Sequence, residues 1–507
     1  MTSKREMILF AAVLAALLAA VGLVGAALLR LEKNSVLGVE IRDDADGDAE
    51  GELDFSLLLN GAAAPYDSYT DTYYIPQTLD RAGWSGTLST AEGYELSFVP
   101  DEFFEYRPSA IEYCHVFRLC VSDGTVTDAV NLMFTGLPAL CLESSGEMRL
   151  FCPDGSGEKG ARTVVSACEF HIRGYESELW PKSSWKLTLF DENGAYFRAQ
   201  LLGMRADDDW ILMPMYGDRT RVREKLAADL WNEIAATNPY ALESGANAEY
   251  VEVFIDGNYA GLYLLAQRVD AKLSGGDADD TVYLFDGPDV PDAEDFLLTE
   301  SFFCRDVELR STHAFFESGL WDGCALWTAM VFDGTGTEAL PRVQRPSNIC
   351  DYYIFTSFVS SARYGFQSFY LTAHDNYGEL SYTVIPTDFK FSFGCGFSEL
   401  AFCNNTVYSA ENAVQPTACP VFEAYASVCP EKAGEQLCKR YLELECVLDA
   451  EKICGAAQAL RSELVRSGAA ERDRARWPES DYGAGMDELC QYIEARLEYM
   501  NSEFSAD

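Results

Sequence analysis

Histidine is scarce, with only His115, His171, His313 and His374 among 507 residues. No HExxH helix, GxSxG elbow or cluster of zinc ligands occurs, which removes the common metalloprotease and serine-hydrolase readings. Cysteine is plentiful at 16 residues, yet no two stand as CxxC. Zinc-ribbon and thioredoxin-type sites therefore lose support. An oxidising location would permit disulfides, but spacing pairs none of them. Cys429, Cys438, Cys446, Cys454 and Cys490 fall in helical-looking sequence and read as buried thiols. Positive charge is also short: 38 Lys and Arg face 81 Asp and Glu, a net charge of −43. Phosphate backbones would be repelled, so no nucleic-acid partner is expected. Most of the acidity reads as a solvated surface.

What the chain does have is core-forming material. Hydrophobic residues make up 48% and aromatics 13%, too many for a disordered acidic polymer. Met7 to Leu29 carries no charge and is long enough, as a helix, to cross a hydrocarbon layer. Lys4 and Arg5 before it favour an inside N-terminus. The expectation is a cytoplasmic head at 1–6, a transmembrane signal-anchor helix at 7–29 and a membrane partner. A signal peptide cleaved near Val24-Gly25-Ala26 is the rival. Either version makes the main domain extracytoplasmic, and the first makes the chain a single-pass membrane protein.

Residues 30–52 are acidic and lack an apolar period, as in a linker. From 53 to 136 short apolar runs alternate with turn residues, the pattern of a small β domain. A larger domain spans 137–505. Strands are expected at Glu169–Arg173, Ser184–Phe190 and Tyr196–Leu202, with Trp185, Leu187 and Leu189 on one face and Lys186 and Thr188 on the other. Thr220 reads as the cap of a helix carrying Val222, Leu226, Leu230 and Ile234. Asp256-Gly257 marks a hairpin turn. Residues 271–345 look like a loosely structured insertion. A helix at Ser347–Ser361, two strands through 366–389 and a helical part at 410–505, with two or three amphipathic segments after 420, complete the order. The fold class is α+β: a β-rich N-terminal lobe and a helical C-terminal lobe, preceded by a small β domain and one transmembrane helix.

Four motifs in order carry a family likeness. IRGYESELWPKSSWKLTL at 172–189, LLGMRADDDWILMPMYGDRTRVREKLAADLWNEI at 201–234, VEVFIDGNYAGLYLLAQRVD at 251–270 and IPTDFKFSFG at 385–394 resemble segments of the spore coat protein H (CotH) kinase family. AERDRARWP at 470–478 resembles its C-terminal helices. The resemblance implies an atypical protein-kinase-like domain that uses ATP with Mg or Mn to phosphorylate exported or spore-surface proteins. In such chemistry a Lys holds phosphates, a metal-binding Asp neutralises charge, and a second Asp orients the acceptor hydroxyl. By this likeness Lys182 and Lys186 are candidates for phosphate contact, with Arg173 and Gly174 near the phosphate loop. Arg219, Arg223 and Glu224 occupy the facing helix, and Asp388 matches the metal-loop Asp. Asp207–Asp209 reads as a solvated turn, with Arg219 and Arg223 as available partners.

The likeness fails where transfer chemistry would sit. Ala362 stands where the catalytic Asp belongs, Ser368 where the metal-binding Asn belongs, Lys390 replaces the second metal-loop Asp, and Tyr175 replaces an Asn. No residue is therefore assigned as the catalytic base, whose loss costs about 10²–10⁴-fold. Two readings stay open: a phosphotransferase acting on spore-surface proteins, and a catalytically inactive pseudokinase serving as an assembly scaffold. The second is favoured.

Overall fold

The computed structural model describes residues 35–504 apart from 43–48, 80–83, 106–112, 175–179, 239–244, 271, 274–279, 287–289, 299–300, 302, 311–318, 360–367, 377–378, 391, 395–418 and 481–484. The chain divides into two compact units. One comprises 1–167 with 252–260, the other 168–251 with 261–507.

In the first unit strands begin at Ser35–Val36, inside the stretch expected to be a linker. An eight-stranded sheet is centred on Val116–Ser122 and Val126–Thr135, which pair antiparallel. Alternation along these strands buries Phe117, Leu119, Leu132 and Phe134 on one side. Ile75 and Phe98 from neighbouring strands close the same core. A three-stranded sheet of Ala62–Ala63, Leu57–Leu59 and Leu88–Thr90 accompanies it. The hairpin turn read from sequence is present. Asp256 and Gly257 have φ of +49° and +68°, the two left-handed residues that a tight hairpin loop requires.

Seven strands close into a barrel in the order Ala139–Glu143, Glu147–Phe151, Thr163–Ile172, Trp185–Phe190, Asp209–Met213, Asn258–Gln267, Ala248–Ile255. The β-rich lobe expected from sequence is thus a closed barrel. The strand Asp209–Met213 has no counterpart among the expected strands, because its DWILM run is buried on both faces and shows no alternation. The expected strand at Tyr196–Leu202 forms only isolated bridges, Phe190 with Tyr196 and Ala199 with Asp207.

The second unit also holds an antiparallel sheet ordered Phe303–Cys304, Val307–Leu309, Thr281–Asp286, Ser368–Asn376, Glu379–Pro386. Three of these strands and the helix Asp322–Val331 lie in the supposed loose insertion, whose described residues thus form regular elements. Its Gly and Asp clusters punctuate short elements. Among the described residues the C-terminal part contains five α-helices: Pro420–Val428, Pro430–Glu443, Ala450–Arg466, Ala469–Arg476 and Met486–Phe504. Of the five cysteines read as buried thiols, only Cys454 is fully buried and Cys446 is exposed.

The expectation of one transmembrane helix is not supported by the described structure. No helix among the described residues is long and apolar enough to cross a membrane, and 7–29 lies outside them. The longest C-terminal helix, Met486–Phe504, is amphipathic, with Asp487 and Glu488 in its first turn and a buried face of Leu489, Ile493, Leu497 and Met500. No described helix therefore supports the single-pass location or the membrane partner inferred from 7–29.

Candidate functional site

A pocket in the second unit gathers residues from distant motifs. Arg173 and Gly174, Asp218, Glu224, and the run Thr387-Asp388-Phe389-Lys390 all line it. Apolar side chains form much of the remaining wall, including Trp180, Ile211, Met213, Trp231, Val269 and Leu284, and Ser184, Gln267 and Asp286 also line it.

Each charged residue reaches this pocket for a local reason. The strand Thr163–Ile172 ends just before Arg173, whose backbone N–H donates to the Ser184 carbonyl at 2.9 Å. Gly174 then takes a left-handed φ of +78°. Glu224 lies in the first turn of the helix Arg223–Ala236. Asp218 caps that turn in place of the expected Thr220: its Oδ2 accepts the Arg223 N–H at 2.9 Å, and its Oδ1 takes the Arg223 guanidinium at 2.6 Å. Burial alone would raise the Asp218 carboxyl, but Arg223 and the Thr220 hydroxyl hold it below the usual range. Asp388 follows the strand Glu379–Pro386 with φ +59°, a left-handed turn that Asp tolerates. The turn is fixed on both sides. Thr387 N–H donates to the Ser368 carbonyl at 3.1 Å, and the Phe389 ring meets Phe355 edge-on at 5.5 Å. Phe355 also meets Trp231 edge-on at 5.3 Å, so the Glu224 helix and the Asp388 loop are keyed to one ring.

Glu224 is 4% exposed, and its Oε2 has no hydrogen-bond partner among the described residues. Burial, reinforced by Asp388 and Asp218, pushes its carboxyl up to about 7, against the pull of Lys390 and Arg173. Lys390 Nζ stands 3.2 Å from Asp388 Oδ1.

The other nominated residues sit elsewhere. Lys182 is fully buried; its Nζ contacts Asp473 Oδ1 at 2.7 Å and the Leu262 carbonyl at 2.6 Å. Burial depresses its ammonium to about 8, with Asp473 opposing. Lys186 is on the face of its strand that carries Ile211 in cross-strand register, but its Nζ lies 3.3 Å from Asp209, outside the pocket lining. Arg223 is buried against Asp218, and Arg219 is exposed. Ala362 and Tyr175 lie outside the described residues, whereas Ser368 starts a strand and is buried. Asp207–Asp209 is no solvated turn. The three carboxylates are 0%, 7% and 9% exposed, and their partners are Arg205, Lys272, Arg198, Arg268 and Lys186.

Sequence reading missed Asp473 and Arg221. Asp473 Oδ2 accepts from Arg221 Nε at 2.9 Å, and Oδ1 also accepts the Leu262 N–H at 2.9 Å. The available signal was an Asp inside a motif where polar side chains would otherwise face solvent.

A divalent ion does not fit the described donor set. Among the described residues no group of three His, Cys, Asp or Glu side chains is placed to hold one metal ion, although Asp218, Glu224, Asp286 and Asp388 line the pocket. The one metal-loop carboxylate is already ion-paired to Lys390. A nucleotide fits better, with apolar walls for a base and Arg173, Lys390 and the Gly174 backbone for phosphates.

Residues 170–302 match the family model described as CotH kinase protein. No curated protein matches it.

Proposed function

We infer that this chain is a nucleotide-binding pseudokinase of the CotH type, whose pocket takes ATP while phosphoryl transfer is weak or lost. The observation that carries the reading is the convergence of Arg173, Gly174, Glu224 and Asp388, from three separate motifs, on one pocket. The apolar wall would hold the base, and Arg173 would face the phosphates. Transfer additionally needs a base for the acceptor hydroxyl. Ala362 and Ser368 at the expected positions supply neither a carboxylate nor an amide. On the family likeness, the partners of such a scaffold are spore-surface proteins.

The test is incubation of the full chain with labelled ATP and Mg²⁺ or Mn²⁺, alongside calorimetry with ATP. ATP binding without incorporation of label is expected. Robust incorporation abolished by Asp388→Ala overturns the inactive assignment, and absence of ATP binding overturns the nucleotide assignment.

A further inference from the structure

We propose that the Lys390 ammonium is the built-in counter-cation of this pocket, so that the site takes a nucleoside triphosphate free of divalent metal. The proposal rests on the nucleotide reading above and specifies the form of the ligand.

The Asp388 carboxylate already has a cation 3.2 Å away, supplied by its own loop. That loop cannot swing freely. Asp388 is held in a left-handed conformation, Phe389 is packed on Phe355, and the Ser392 N–H and hydroxyl both meet the Phe389 carbonyl, at 3.2 and 2.8 Å. The anchor of the lysine is therefore fixed, while its four-carbon stem stays adjustable. Its side chain is 33% exposed and lines the same pocket as Arg173.

Glu224 supplies the second observation. It lines the pocket, is more than nine-tenths buried, and leaves Oε2 without a hydrogen-bond partner among the described residues. A buried polar atom of this kind marks a place where a ligand group completes the site. Lys390 and Arg173 are the two cations that act on it. An entering divalent ion would have to break the Asp388–Lys390 pair and would meet Arg173 as well, against the attraction of Asp218, Glu224 and Asp286, which also line the pocket. A triphosphate meets the two cations as attraction. Ser368, whose carbonyl anchors Thr387 beside the loop, adds only a neutral hydroxyl and no compensating carboxylate.

Calorimetry of the full chain with ATP, once in EDTA and once in excess Mg²⁺ or Mn²⁺, tests this. The two dissociation constants should agree within about twofold. Lys390→Ala should weaken binding in EDTA by about tenfold or more, and Lys390→Asp should bind only when metal is present. Wild-type binding that vanishes in EDTA and returns with Mg²⁺ overturns the proposal but leaves the nucleotide reading standing. Binding in neither condition, by protein that still melts cooperatively, overturns both. Unchanged affinity in a folded Lys390→Ala variant overturns the role of the lysine alone. The wild-type comparison decides by itself if the variants fail to fold.

Discussion

Lys182 Nζ meets Asp473 Oδ1 at 2.7 Å, a contact across 291 positions of sequence with both side chains at most 1% exposed. The same carboxylate takes Arg221 on its other oxygen and the Leu262 N–H beside the lysine. The Lys182 ammonium also lies 4.7 Å from the centre of the Tyr263 ring. Four separated segments, three of the four family-like motifs and the 470–478 stretch, thus share one buried charge centre. A lysine nominated for phosphate contact is held here by structure.

Removing one member of such a centre strands the others in a medium that solvates them poorly. Burial would raise the Asp473 carboxyl, but Lys182 and Arg221 hold it below its ordinary range, so it stays ionised. Asp473→Ala is expected to cost about 3–5 kcal/mol of stability, read from denaturant unfolding. Lys182→Ala should cost a similar amount, and the double variant should cost clearly less than the sum. Additive losses would show that the two side chains are not coupled.

Gly261 makes this approach available. Its φ is +122°, and a Cβ built there would lie 2.6 Å from Asp473 Oδ1 and 3.0 Å from Lys182 Cε. Gly261→Ala therefore strains the backbone and pushes the carboxylate off its partners. A melting temperature lowered to the same extent as in Asp473→Ala is the expected result. A melt unchanged from wild type would mean that the hairpin and the Asp473 helix are not in close packing.

How much of this was legible in the chain depends on the reach of each signal. The Asp256-Gly257 turn, the helix through Leu226 and Leu230, and the paired strands before Asp388 are local patterns, and all appear. The cap moved from Thr220 to Asp218 because Arg223 gives that carboxylate two bonds, one from its backbone N–H and one from its guanidinium. The strand at Asp209–Met213 hid because burial on both faces erases alternation. Asp207–Asp209 looked solvated because its cations, Lys272 and Arg268 among them, arrive from about 60 residues later. Arg173, Glu224 and Asp388 were nominated from likeness and share a pocket; Lys182 came by the same route and does not line it. Spacing within a motif does not say which face a side chain takes once distant segments pack.

Glu224 gives the pocket a pH signature. Its carboxyl titrates at about 7 in the fold, against 4.5 for an ordinary Glu. Because the folded value is the higher one, the stability this group contributes is complete below the unfolded value and is lost as pH rises through the folded one. Glu224→Gln removes the titration. The variant should gain on wild type by about 2 kcal/mol more at about pH 8.5 than at about pH 5.5, measured by urea unfolding at each pH. A gap that does not change with pH would place the Glu224 carboxyl in contact with water.

The sharpest discrimination among the nominated cations is by affinity. Arg173 lines the pocket with its backbone pinned to Ser184. Lys186 shares the Ile211 face but is directed to Asp209, which also takes the Thr188 hydroxyl at 2.6 Å and Arg268 at 2.8 Å. Arg173→Ala should weaken ATP binding by about tenfold or more, whereas Lys186→Ala should leave it within about twofold. The stability of the Lys186 variant should also change little, because Asp209 retains Arg268 and a partly exposed ion pair contributes only about 0–1 kcal/mol. Calorimetry with both variants reads the difference directly. If Lys186→Ala proved the more damaging, the lysine would have to leave Asp209 for the phosphates on binding, and the nucleotide would extend along the strand beyond the pocket described here.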